Sequence, residues 1–177
     1  PLELGMIETL NRNISSGNVE AQNKESFTMG KRGEGWFFLQ AVLMGAILVA
    51  PRSEGISKWL WLPVLGGFLF VTGGLMGLTA IFKLGRNLTP FPKPVDDGKL
   101  VRQGLYRLVR HPIYGGVILT CLGWTLLRSS LIGIVLSLLL FLFFDAKTRA
   151  EERWLVQQYP DYAAYQQEVK RLIPWLY

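Results

Sequence analysis

From Ser57 to Phe82 the chain runs 26 residues with a single charge, Lys58, at its edge. At about 1.5 Å of rise per residue, such a helix is long enough to cross a hydrocarbon core of about 30 Å. Three further apolar runs flank it: Trp36 to Ala50, Pro112 to Leu127 and Leu131 to Phe144. Each is short for a full crossing by length alone. Half of the residues are hydrophobic, and they lie in runs rather than at amphipathic spacing, which is a membrane composition. The expectation is an all-α integral membrane protein with about four transmembrane helices.

Charge sorts with that topology. Of the 19 basic residues, seven lie between Lys83 and Arg110, five from Lys147 onward and four in the N-terminal arm. The two opposite connections carry only Arg52, Lys58 and Arg128. With four crossings, both termini and the long middle segment share one face, which the positive-inside rule makes cytoplasmic or its organellar equivalent. Anionic membrane lipids are therefore the expected partner of the net charge of +6, and nucleic acid is not.

Residues 1–32 read as a polar N-terminal arm without an apolar signal core, and the start at Pro1 suggests a processed or trimmed chain. Residues 33–177 form the membrane domain. Cys121 is the single cysteine, so no disulfide framework exists, and one histidine leaves no metal set. The glycines at 66, 67, 73, 74 and 77 lack the strand and lysine of a phosphate loop. They imply close helix packing, or alternatively a groove through which a lipid tail could enter sideways.

The segment from Leu84 to Val109 carries Pro90, Pro92 and Pro94 and cannot be one helix. Its length and its apolar residues Phe91, Leu100, Leu105 and Tyr106 suggest a functional loop folded back on the protein. Only Arg128, Ser129 and Ser130 separate the third and fourth apolar runs, so these are antiparallel neighbours. Equal rise along both places Arg110 and His111 beside Lys147 to Glu152. The fourth helix should continue to Pro160, followed by an amphipathic C-terminal cap over about Pro160 to Leu172, with Tyr162, Tyr165, Val169 and Leu172 on one face.

The ordered set Leu84-Gly85-Arg86, Gly104-Leu105-Tyr106, Arg110-His111-Pro112-Ile113-Tyr114-Gly115-Gly116, Glu151-Glu152 and Tyr162-x-x-Tyr165-x-x-x-Val169 resembles the isoprenylcysteine carboxyl methyltransferase and phospholipid methyltransferase superfamily. The match covers about Leu84 to Pro174, roughly half the chain, and residues 84–177 are the half expected to hold a cofactor site. Pro160 departs from the family's usual glycine and puts the tilt of the cap in question. The resemblance implies S-adenosylmethionine-dependent methyl transfer, with Arg110, His111, Tyr114, Glu151 and Glu152 at the cofactor, and Tyr162 and Tyr165 beside it.

Arg110 and Glu152 are the expected catalytic pair. Methyl transfer asks mainly for positioning. Arg110 suits the carboxylate of the donor's amino-acid end, and one of the two glutamates its ammonium. Tyr114 and a tail aromatic suit the adenine or the sulfonium. A lipophilic acceptor is expected: a prenylcysteine carboxylate, a lipid amine or a small lipophilic molecule.

Blander roles stay open at this point. His111 could simply start a helix, Glu151 and Glu152 could be a solvated helix end, and the tyrosines could be interfacial anchors. So does a noncatalytic membrane subunit that uses the fold for assembly. A bacterial inner membrane and an organellar one, such as a plastid's, are equally consistent.

Overall fold

The computed structural model describes residues 33–54, 59–95 and 97–174; the polar arm of residues 1–32 lies outside them. Among the described residues the fold is helical, and its order is α1 (Glu34–Val49), α2 (Trp61–Leu84), α3 (Pro112–Leu127), α4 (Leu131–Gln158) and the short α5 (Tyr162–Glu168). Two 3₁₀ turns, Gly85–Asn87 and Gly104–Arg107, punctuate the long connection. α2 and α4, with 24 and 28 residues, are long and apolar enough to cross a membrane. α1 and α3 have 16 residues each, about 24 Å of helix, so length alone does not give them a crossing.

Outward faces are apolar throughout the bundle. Phe38 on α1, Phe82 on α2 and Leu142 on α4 are exposed, and the core beneath them is built from Ile47, Cys121, Leu140, Phe143 and Phe144. Exposed apolar belts around a packed core are what a lipid-facing bundle presents.

Three sequence expectations change. Residues 59 and 60 precede α2, which starts at Trp61 rather than Ser57, with Pro63 in its first turn, where a missing N–H costs nothing. The glycine face of α2 is not an open groove, because α3 fills it. A Cβ on Gly66 would stand 2.5 Å from the Leu127 nitrogen, and one on Gly73 would stand 2.6 Å from the Thr120 nitrogen. Gly116 and Gly123 return the approach from α3, so the two backbones touch through small residues.

The third change is the cap, whose helix ends at Glu168. Val169 is extended, and Lys170 forms a parallel bridge with Val109. Arg110 and His111 donate their backbone N–H groups to the carbonyls of Lys170 (2.8 Å) and Arg171 (3.1 Å). Those pairings satisfy the backbone just ahead of α3, and they pull Val169 and Leu172 off the helix face expected for them.

At the opposite end, the two helical hairpins are latched together. Ser129, at a left-handed φ of 50°, accepts the Ser53 N–H at 3.0 Å, and the Ser130 hydroxyl donates to the Pro51 carbonyl at 2.6 Å. The same Ser130 oxygen caps α4 by accepting from Gly133.

Candidate active site

His111 is the N-cap of α3 and Pro112 its first residue, a position where proline's fixed φ suits a helix start. One turn in, Tyr114 points toward α4, and at Gly116, two residues on, the α2 backbone leaves no room for a side chain. α4 continues past its apolar portion and brings Lys147, Glu151 and Glu152 alongside. α3 and α4 are joined by three residues, so the two polar groups arrive at the same end of the bundle.

Glu152 is 5% exposed and held from four sides. Its Oε1 accepts from Arg110 Nε at 2.7 Å and stands 3.2 Å from His111 Nε2. Its Oε2 accepts from Gln166 Nε2 at 3.1 Å and from Arg171 Nε at 3.3 Å. Arg110 in turn donates through Nη1 to the carbonyls of Gln166 (3.0 Å) and Val169. Arg171 also reaches Asp145 Oδ1 at 3.1 Å. A carboxylate with every lone pair engaged and a guanidinium committed to three acceptors form a clasp that joins α3, α4, α5 and the tail. The two residues expected to grip opposite ends of one zwitterion therefore grip each other.

Beside the clasp lies a cavity of about 290 Å³, near the lower end of the range usual for small-molecule sites. Arg110, His111, Tyr114, Glu151, Tyr162 and Tyr165 line it, and Glu152 stands behind its wall. Glu151 is the carboxylate that faces the space. Its Oε2 accepts from the Tyr114 hydroxyl at 2.8 Å, and its Oε1 has no hydrogen-bond partner among the described residues. Tyr114 is stacked between Phe144, centroids 4.6 Å apart, and His111, at 5.6 Å, so its ring is fixed.

The long connection forms the far wall with Leu88, Pro90, Pro94, Leu100 and Tyr106, as its fold-back residues suggest. It is strapped down at both ends. Asn87 makes paired hydrogen bonds to Lys99 (2.8 and 3.1 Å), and Gln158 donates to the Val95 carbonyl at 2.6 Å. Arg102 donates to the Asp161 carbonyl and lies over the Tyr165 ring, 5.4 Å from its centroid.

The tyrosines of α5 differ in their hydroxyls. Tyr165 donates to the Tyr106 carbonyl. Tyr162 is 2% exposed, and its hydroxyl has no partner among the described residues. A buried orphan hydroxyl on a cavity wall is costly unless a ligand meets it. Burial raises the pKa of Tyr162 and of Tyr106, and it pushes the Tyr165 hydroxyl up to about 12 against the opposing pull of Arg110 and Arg102.

In the sequence reading Lys147 comes to this end of the bundle without a role, and Gln40 does not enter at all. Lys147 lines the cavity at 1% exposure, and Gln40 of α1 reaches it from across the bundle. Lys147 lies one helical turn before Glu151, a spacing that puts both on one face of α4 and could have flagged it. Nothing in the sequence near Gln40 points to the cavity.

The residues suit a methyl donor of the S-adenosylmethionine type: a carboxylate with an open oxygen, several ring faces and an unmet hydroxyl converge on one cavity.

Residues 61–162 match the family described as Phospholipid methyltransferase. Protein-S-isoprenylcysteine O-methyltransferase B of Arabidopsis thaliana is 28% identical over 126 residues, covering 69% of this chain and 64% of that protein. The cobalt-zinc-cadmium resistance protein CzcN of Cupriavidus metallidurans is 36% identical over 139 residues, covering 73% of this chain and 59% of that protein. The structure of the eukaryotic intramembrane Ras methyltransferase ICMT superposes with a TM-score of 0.64 over 86% of this chain and 56% of that one. At 23% identity it shows a shared fold. The chain thus spans about two thirds or less of the length of these relatives. With more than half of its residues inside the family match, the chain belongs to the phospholipid methyltransferase family.

Proposed function

We infer that this protein transfers a methyl group from S-adenosylmethionine to a lipophilic acceptor at the membrane interface. The observation that carries this reading is the half-open cavity at the polar end of two apolar spans, with Glu151 and the orphan Tyr162 hydroxyl on its wall. S-adenosylmethionine, when bound, supplies a methyl group made electrophilic by its sulfonium. Glu151 takes the ammonium of the amino-acid end, and the rings of Tyr106, Tyr159 and Tyr165 offer faces to the adenine or the cationic sulfur. The Arg110–Glu152 clasp keeps the wall rigid, so that donor and acceptor are held in attack geometry, a contribution worth several kcal/mol.

Four crossings complete the reading, with α1 and α3 spanning locally thinned bilayer, and with the cavity and both chain ends on the positively charged side. The acceptor then meets the cavity at headgroup depth, its tail in lipid. The membrane is a bacterial inner membrane or an organellar one.

The test is a titration of the purified protein with labelled S-adenosylmethionine, followed by incubation with total membrane lipid. Saturable binding and label in the lipid fraction are expected. Absence of saturable binding would sink the reading and leave a noncatalytic role in assembly.

A further inference from the structure

Lys147 is a buried cation whose direct contacts are all neutral groups. Its side chain is 1% exposed. Its Nζ donates to Gln40 Oε1 at 2.7 Å and to the Pro90 carbonyl at 3.3 Å, and it lies 5.1 Å from the centroid of the Tyr114 ring. It makes no ion pair among the described residues, and one of its three N–H donors is unspent. A desolvated ammonium in direct contact only with neutral oxygens and ring faces, with the Glu151 carboxylate one turn on attracting it from beyond ion-pair distance, is incompletely compensated. Gln40 has donor capacity too, since its Nε2 touches only the thioether of Met44, at 3.9 Å. Gln40, Pro90, Tyr114 and Lys147 all line the cavity.

The other cation expected to serve an anionic ligand, Arg110, is spent on Glu152 and two carbonyls. We propose that Lys147 and Gln40 form a carboxylate-binding subsite in this cavity, offering one ammonium N–H and one amide N–H to the two oxygens of a bound carboxylate. The subsite deepens the methyl-transfer reading and rests on it for its occupant, which is a carboxylate of either the acceptor or the donor's amino-acid end.

The test compares matched ligand pairs by equilibrium binding to the full chain in lipid nanodiscs. Palmitic acid against palmitamide probes the acceptor source, and S-adenosylmethionine against its decarboxylated form probes the donor source. The wild-type protein should prefer the carboxylate member of one pair by about tenfold or more, the scale of a charge-assisted hydrogen bond. Lys147→Met should erase that preference and leave the affinity for the carboxylate-free member unchanged. Gln40→Glu, of nearly equal size, supplies an internal anion to Lys147 and should erase it too, which keeps the test open if Lys147→Met does not fold.

Loss of the preference in the fatty pair assigns the acceptor, and loss in the nucleoside pair assigns the donor. A wild-type ratio near one in both pairs, or a preference that survives both substitutions, would overturn the subsite. If neither form of the nucleoside binds, the methyl-transfer reading fails by itself, and the fatty pair alone then decides the subsite by the same two criteria.

Discussion

Arg110 Nε and Glu152 Oε1 lie 2.7 Å apart, their side chains 8% and 5% exposed, so the two meet as an almost fully desolvated ion pair. The pair carries no net charge into the cavity, and its worth lies in what it holds together. Glu152→Ala should leave Arg110 and Arg171 facing a buried void and destabilise the protein by about 3–5 kcal/mol. Arg110→Met combined with Glu152→Leu should cost clearly less than the sum of the single changes. Thermal unfolding in detergent measures both. Strict additivity would show that the clasp is not a coupled unit.

The contact between α2 and α3 gives a second expectation. Gly66→Ala places a Cβ 2.5 Å from the Leu127 nitrogen, in backbone that cannot yield cheaply, and should cost about 1–3 kcal/mol. Gly74→Ala, two turns along the same helix, meets nothing within 4 Å and should gain up to about 1 kcal/mol from helix propensity. Equal melting temperatures for the two variants would refute the close packing.

Tyr162 and Tyr165 should part company when each becomes phenylalanine. Tyr165→Phe removes the hydrogen bond to Tyr106 and should cost about 1 kcal/mol of stability. Tyr162→Phe removes a hydroxyl that has no partner, so stability should hold or rise, whereas affinity for S-adenosylmethionine should fall by about 0.5–1.5 kcal/mol. Unchanged affinity in Tyr162→Phe would free that hydroxyl from any ligand role.

Alkali should loosen α5 in a defined window. An unfolded tyrosine releases its proton near pH 10, whereas burial holds the Tyr165 proton to about 12. The folded state therefore binds the proton more tightly, so this stability is fully present below pH 10 and is lost as pH rises through 12. Unfolding midpoints across that window should fall more steeply in the native sequence than in Tyr165→Phe. Parallel curves would contradict the shift.

For topology, single cysteines replacing Asp97 and Gln167, in a chain with Cys121→Ala, should react with an impermeant thiol reagent from one side of sealed vesicles. A cysteine replacing Glu54 should react from the other. Labelling of all three from one side would remove the four-crossing arrangement.

Much of this architecture is legible in the order of the residues. A three-residue link between two apolar runs of similar length dictates that Arg110 and His111 meet Glu151 and Glu152, because rise per residue is fixed. Which glutamate faces the ligand space is not legible. Adjacent helical residues diverge by about 100°, and only the packed tail shows that Glu152 turns to Arg171 and Gln166 while Glu151 turns to the cavity. The extended tail is equally hidden, since its bridge to Val109 joins residues 61 positions apart, and helical spacing cannot register a pairing of that range. Equal rise brings Lys147 to the same end of the bundle but does not show that it is buried. Its burial follows from Gln40 on α1 and the fold-back of Pro90, both distant in sequence.

The serine latch between residues 51–53 and 129–131 has a mechanical consequence. Tied at that end and zipped along the α2–α3 glycines, the bundle resembles tongs joined at the hinge: thermal splaying grows with distance from the joint and is greatest at the tips, where the cavity lies. Cutting the joint with Ser130→Ala would let the tips drift relative to one another without touching any residue that lines the cavity, so hydrogen exchange at residues 147–152 would report damage done at the opposite extreme of the molecule.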